Sequence, residues 1–362
     1  MSDTNSTPPS GHTVLVTGAT GYIARHVVTQ LLDAGHTVRG TARRAEAEAG
    51  LRADLTPFLA DPRTINRFSL VVADLGDDAG WDDAAQGCTH VCHVASPLPA
   101  GEPKNPDDVI RPAVDGTLRV LRAAASAGVQ RVVLTSSIAA VLYGVDRRGK
   151  VFTEADWSNP DAKHIGTYEK SKTLAERAAW AFVAGPDARG MQLATINPGL
   201  VVGPMLGSEA STSNEAVRKL MARELPACPD LTYAFVDVRD VAAAHVAALT
   251  APGAAGQRHL CAIDSRSLRE VAAILARDYR PQGYRVPTGK LPGWALRLTA
   301  KVDKTAAMAL HDLGNPQRVD NTRVRELLGR PLRDLEEMTL AMAASLVHYG
   351  HVRPKRRPRA TD

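Results

Sequence analysis

From residue 13 to about 200 the hydrophobic positions alternate between short β-branched runs and longer stripes at helical spacing. "TVLVTG" has the pattern of a buried strand ending in a glycine turn, and "YIARHVVTQLLDAG" that of an amphipathic helix closed by Gly35. Further strands are expected at "HTVRGTA", "FSLVVADL", "THVCHVA", "VQRVVLTSS" and "MQLATINPG". Helices are expected at "DGTLRVLRAAASAG", closed by Gly128, and in the stretch carrying Tyr168, after a polar loop with Trp157. Apolar strands without clean alternation, each followed by a helix, indicate a parallel sheet covered on both faces. The predicted fold class is therefore α/β, a doubly wound parallel sheet of the Rossmann type.

After Pro198 the rhythm loosens. "NPGLVVGPM" is a Gly/Pro-rich loop, "SNEAVRKLMARE" a helix, and "TYAFVDVRDVAAAHVAALT" a strand running into a helix. "RHLCAI" has the composition to return a strand to the sheet, and residues 264–350 are mostly helical. The expected organisation is a leader over 1–12, a dinucleotide-binding domain over 13–197, and a smaller, mostly helical C-terminal substrate lobe over 198–350. Segments around 232–263 of that lobe return to the first domain, and a basic tail occupies 351–362.

Composition narrows the picture by exclusion. The chain has 362 residues, 44% hydrophobic and 23% charged, enough to bury a sizeable core. No apolar run approaches the roughly 18–20 residues of a membrane span, and the polar start "MSDTNSTPPSGH" lacks a signal-peptide core. A disordered leader and a cytoplasmic protein are expected. The net charge is +5, but the final "HVRPKRRPRATD" carries five basic side chains and one Asp, so the rest is nearly neutral. The tail reads as a solvated, disordered end, and neither nucleic acid nor membrane is expected as a partner. Cys88, Cys92, Cys228 and Cys261 are too scattered for a disulfide framework. "CTHVCH" has three residues between its cysteines and no second ligand group, so no metal site is expected there.

The first turn carries the first chemistry. In "VTGATGYIA", Gly18 permits a tight turn, Gly21 lets the backbone approach a pyrophosphate, and Ala24 allows close helix–strand packing. The phosphates would then rest on unpaired N–H groups at the helix N-terminus. Gly18, Thr20, Gly21, Tyr22 and Ile23 form the expected cofactor loop. An NAD site usually places an acid at the end of the second strand. Here "HTVRGTARRAEAEAG" offers Arg39, Arg43 and Arg44 instead, with the first acid at Glu46. A guanidinium meets a 2′-phosphate through paired hydrogen bonds, so NADP(H) is expected, with Arg43 as its contact.

"TYEKSKTLAERAAW" places Tyr168 and Lys172 at i and i+4, on one helix face. A cation near a phenol favours the phenolate and lowers a pKa that is about 10 when free, each unit corresponding to about 1.4 kcal/mol. Such a phenol can protonate the oxygen of a carbonyl under reduction. Upstream, "VVLTSSIAAV" ends the fifth strand with Ser136 and Ser137, where ligands of doubly wound sheets lie. A serine there can hydrogen-bond a developing oxyanion. Strand-end capping is the competing role for Ser136.

Together the stretches "VTGATGYIARHVVTQLLDAGHTVRGTARR", "VVADL", "HVASP", "VVLTSSIAAV", "YEKSKTLAERAAW", "INPGLVVGP" and "FVDVRDVAAAHV" resemble the extended short-chain dehydrogenase/reductase family over roughly 12–350. Within it, the chain looks like the branch of dihydroflavonol reductases, cinnamoyl-CoA reductases and microbial aldehyde or ketone reductases. The resemblance implies that Ser137 orients the carbonyl, Tyr168 is the acid, and Lys172 lowers the Tyr168 pKa and holds the nicotinamide ribose. It also implies that Asp74 and Leu75 border the adenine, that Ala95, Ser96 and Pro97 line the cofactor path, and that Pro198 sits against the nicotinamide.

Two departures narrow the branch. Leu142 stands where plant dihydroflavonol reductases carry an Asn, and "KHIGTYEKSK" replaces the Asn-Trp-Tyr-Cys-Tyr stretch of cinnamoyl-CoA reductases. The expectation that remains is an NADPH-dependent reductase of aldehydes or ketones, its apolar pocket drawn from Leu142, Tyr143, Ile165, Met205 and Phe235. A steroid-like alcohol dehydrogenase or isomerase on the same fold, and a non-catalytic NADP-sensing module, stand as alternatives. Monomer and homodimer are both open.

Overall fold

The computed structural model describes residues 11–97, 103, 105–209, 214–300 and 310–354. Most of the expected leader and the last eight residues of the basic tail lie outside the described residues.

Six strands build the first part of the sheet: β1 (Thr13–Val16), β2 (Thr37–Ala42), β3 (Phe68–Val72), β4 (His90–His93), β5 (Arg131–Thr135) and β6 (Gln192–Pro198). A seventh strand, Arg258–Cys261, pairs with β6, so "RHLCAI" does return to the sheet. The order is seventh strand, β6, β5, β4, β1, β2, β3, with every pairing parallel. The chain reverses direction of travel between β1 and β4, and the carboxyl ends of these two strands open the crevice in which such sheets bind ligands.

Helices cover both faces. Tyr22–Asp33 buries Ala24, Val27, Val28, Leu31 and Leu32 against β1, β2 and the helix Val238–Thr250. On the other face lie Asp107–Ser126 and Thr167–Ala184, over Val91, Val132 and Leu193. The Asp107–Ser126 helix starts eight residues before the "DGTLRVLRAAASAG" stripe. Pro112 reads as a breaker, yet Val109 and Ala113 are buried on the same face and their packing carries the helix through it.

Glycine decides one contact within the sheet. A Cβ on Gly40 in β2 would stand 2.7 Å from the Ala19 Cβ and 2.9 Å from Phe68, so only glycine lets the first turn settle on β2.

The C-terminal part has its own apolar cluster. Val202, Met205, Leu220 and Phe235 pack with the helices Leu268–Tyr279 and Leu335–His348. Tyr22 touches both this cluster and the one under the first helix, so the dinucleotide turn sits at the seam between them. A short parallel ladder, Leu200–Val202 with Phe235–Asp237, continues past the end of β6. Among the described residues, no helix is long and apolar enough to cross a membrane.

Candidate active site

The turn after β1 is shaped for a close approach. Gly18 has φ +63°, and a Cβ there would meet the Ala95 Cβ at 2.9 Å. Gly21 precedes the Tyr22–Asp33 helix in an extended conformation and supplies no side-chain cap, and the first turn holds no acid. The first N–H groups of that helix are thus left to an anionic ligand. Gly21 is exposed and Thr20 half-buried.

At the start of this turn, the Thr17 hydroxyl accepts the amides of Val94 (3.0 Å) and Ala95 (2.9 Å). Its own proton therefore goes to His93 Nδ1, 2.8 Å away, which places the imidazole proton on Nε2. His93 Nε2 is buried and has no hydrogen-bond partner among the described residues. Burial, then the Lys172 charge, pushes the His93 pKa down to about 3, so the ring is neutral. The residue belongs to β4, as expected of "THVCHVA", and no metal-binding cluster is found among the described residues.

Ser137 follows β5 and caps the turn Ile138–Ala140: its Oγ accepts the Ala139 amide at 3.1 Å and reaches the Pro198 carbonyl at 3.5 Å. Tyr168 enters from the first turn of Thr167–Ala184 and shares a side-chain hydrogen bond with Ser137. Lys172 lies one turn on, buried on the same stripe as Ala175, Glu176 and Ala179. Ser137, Tyr168, Lys172 and Pro198 thus come together at the carboxyl ends of β5 and β6.

The electrostatics differ from the expected depression of the phenol. Burial dominates and pushes Tyr168 up to about 12; the Ser137 hydrogen bond opposes it and the Glu169 charge adds to it. Burial also brings Lys172 down to about 8, opposed by the Glu176 carboxylate. At neutral pH the phenol keeps its proton and the ammonium its charge. This is the state required of a proton donor with a cation beside it.

The remaining expected residues are more dispersed. Arg43 and Arg44 are exposed just past β2, whereas Arg39 caps the carbonyls of Asp83, Ala84 and Gln86 at 3.1, 3.1 and 2.6 Å. Asp74 closes its own turn by accepting the Gly76 amide at 2.8 Å, and Leu75 is half-buried beside it. Ala95, Ser96 and Pro97 are half-buried along the crevice. Tyr22 points its hydroxyl to the Gly203 carbonyl, 2.8 Å away, and Ile23 packs on the core beneath. Of the expected pocket, Leu142, Met205 and Phe235 are buried within apolar clusters, while Tyr143 and Ile165 are half-buried.

Sequence reasoning missed several groups. Arg25 donates to the carbonyls of Thr20 (3.0 Å) and Leu206 (2.6 Å) and pairs with Asp54 at 2.6 Å. With Tyr22–Gly203 and His26–Pro204 (2.9 Å), it fastens the loop after Pro198 to the glycine turn. Asn197 and Glu176, both fully buried, join β5 and β6 to the Tyr168 helix. The i, i+4, i+8 spacing of Tyr168, Lys172 and Glu176 is the one local signal that pointed to any of these.

The family model described as the NAD dependent epimerase/dehydratase family matches residues 14–262. The chain is similar to cinnamoyl-CoA reductase 1 of Arabidopsis thaliana, 34% identical over 96% of this chain and 92% of that protein. It is similar to dihydroflavonol 4-reductase of Zea mays, 34% identical over 96% of each. Among solved structures it resembles the yeast methylglyoxal/isovaleraldehyde reductase complexed with NADPH. That likeness has a TM-score of 0.76 and 28% identity, covering 94% of this chain and all of the other.

Proposed function

The chain belongs to the NAD dependent epimerase/dehydratase family of extended short-chain dehydrogenases/reductases, and on that footing we propose that it reduces an aldehyde or ketone to an alcohol with NADPH. It is an NADP-dependent oxidoreductase: its relatives are named as reductases, and the yeast reductase it resembles was solved with NADPH. The observation that carries the finer reading is the convergence of Ser137, Tyr168 and Lys172 at one crevice end.

The residues present fit the dinucleotide. Gly18 leaves the space that a Cβ would fill, and the uncapped helix start at Gly21 and Tyr22 offers its amides to the pyrophosphate. Arg43 would meet the 2′-phosphate, Asp74 and Leu75 would border the adenine, and Ala95, Ser96 and Pro97 would line the path between. Lys172 would hold the nicotinamide ribose, with Pro198 against the ring. NADPH, when bound, supplies the hydride for the carbonyl carbon.

The protein's own part is positional and protonic. Ser137 hydrogen-bonds the substrate oxygen, and Tyr168 transfers its phenolic proton to that oxygen as the C=O bond becomes C–OH. The Lys172 ammonium then offsets the phenolate left behind. Tyr143 and Ile165, half-buried, are the walls open to a substrate, and the lobe from Pro198 onward completes the pocket.

Turnover of purified protein with NADPH, across aliphatic, aromatic and branched aldehydes and ketones, tests this reading. NADPH binding without turnover on any of them would contradict it. Two variants probe the cofactor site. Gly18→Ala should weaken NADPH binding by about tenfold or more, because the left-handed backbone and the Ala95 contact force the turn outward at a cost of roughly 1–2 kcal/mol. Fluorescence titration of NADPH measures this. Arg43→Ala should lower the NADPH-to-NADH ratio of kcat/KM by about tenfold, the worth of a charge-assisted hydrogen bond. An unchanged ratio would remove Arg43 from the 2′-phosphate site.

A further inference from the structure

We propose that Glu176 is a positioning residue of this active site, a buried carboxylate one helical turn from Lys172 that holds the Ser137 strand end in register with the Tyr168–Lys172 face. The proposal rests on the reductase reading above.

The carboxylate gathers donors from four elements. The Ser136 hydroxyl, beside Ser137, donates at 2.6 Å. From β6, Asn197 Nδ2 donates at 2.8 Å and Thr195 Oγ1 lies at 3.2 Å. Trp180, one turn on, donates from Nε1 at 3.2 Å. Arg258, on the seventh strand, pairs with Oε1 at 2.7 Å. Asn197 completes a loop by donating to the Ser137 carbonyl at 3.2 Å, so the backbone of the substrate-orienting serine is referenced to the same carboxylate.

Arg258 is itself held in place. Its guanidinium lies 3.8 Å from the centroid of the Trp157 ring and donates to the Glu154 and Asp156 carbonyls at 3.0 and 2.5 Å. The pair therefore cannot swing away, and its negative end stays one helical turn from Lys172.

The groups facing Glu176 are Arg258 from the seventh strand and Lys172 from the preceding turn of its own helix. Lys172 in turn faces the neutral His93 at the end of β4, with Tyr168 one turn before it. The Glu176 carboxylate is the anion that holds the Lys172 pKa up against burial. Arg258 competes for the same carboxylate from the other side. A purely structural role would make loss of either partner of the Glu176–Arg258 pair equivalent. A role in setting the Lys172 charge makes the two losses opposite in sign.

The experiment is the pH dependence of kcat and KM for wild type, E176Q, E176Q/R258M and R258M, with melting temperature and NADPH affinity measured alongside. Wild-type activity should fall on the alkaline side as Lys172 deprotonates. E176Q should move that limb down by about one pH unit, about tenfold in kcat above the limb, with KM little changed. The double variant, which buries no unpaired charge, should show the same downward shift. R258M should move the limb upward, and it decides alone if neither variant lacking Glu176 folds. An unmoved limb in these variants, or a downward shift in R258M equal to that in E176Q, overturns the proposal. Absence of wild-type turnover would count against the reductase reading instead. The same comparison would then be made on the pH dependence of NADPH binding.

Discussion

Tyr168→Phe lowers turnover by about a thousandfold at saturating NADPH and substrate, the contribution expected of a positioned acid. The phenyl ring keeps the packing of the half-buried side chain, and only the hydroxyl is lost. Its partner Ser137 retains the Ala139 amide and the Pro198 carbonyl, so the strand end is not released. NADPH affinity and melting temperature therefore stay at wild-type values. The measurement is NADPH oxidation with the best carbonyl substrate, alongside a fluorescence titration of cofactor. Wild-type turnover in the variant would show that the proton comes from elsewhere. A parallel loss of NADPH binding would place Tyr168 in cofactor retention rather than in chemistry.

The second large effect is on stability in acid. His26, His93 and His245 are buried and neutral, with pKa values brought from 6.5 to about 4, about 3 and about 4. Burial is the first cause in each. Two of these rings have both nitrogens or their key nitrogen committed: His245 bonds the Val241 carbonyl at 2.7 Å and Thr135 at 2.6 Å, and His26 the Pro204 carbonyl at 2.9 Å. The folded pKa lies below the unfolded one, so the unfolded chain binds more protons as pH falls below 6.5. Stability is therefore present above that value and is lost on the way down to about 4. With these rings titrating together, the slope is on the order of 4 kcal/mol per pH unit, larger than most domains can sustain over the whole interval. Urea midpoints between neutral pH and about 4.5 should fall steeply, before most carboxylates titrate. A flat midpoint over that range would mean that the rings are protonated, or solvated, in the native state.

These two predictions draw on different levels of the molecule. Tyr168 was legible because its chemistry is written locally: four residues to Lys172, about thirty back to a strand-end serine pair, and a glycine turn ahead of both. The parallel sheet was legible for a similar reason, since apolar runs bounded by glycine recur with helical stripes between them. Even the return of "RHLCAI" to the sheet followed from its composition, and pairing with β6 bears it out. The Asp107–Ser126 helix extends eight residues ahead of its expected stripe, because burial of Val109 and Ala113 overrules the local breaker Pro112.

Other features depend on which strands become neighbours. In sequence Arg39 stands with Arg43 and Arg44 as a candidate for the 2′-phosphate, but the sheet turns its side chain onto the carbonyls at the end of Trp81–Ala85. Leu142, Met205 and Phe235 had the character of pocket walls and are packed as core.

By itself the sequence determined the elements, the glycine turn and the Tyr168–Lys172 face, because backbone geometry repeats over three or four residues and leaves its period in the side chains. Only the tertiary structure decided the surroundings of that face. Glu176 meets Arg258 across 82 residues of chain and Asn197 across 21. Such contacts arise from sheet order, which no local period encodes. Burial then sets the protonation of Tyr168, Lys172 and His93 by removing water from around them, a property of the assembled core and of no single segment.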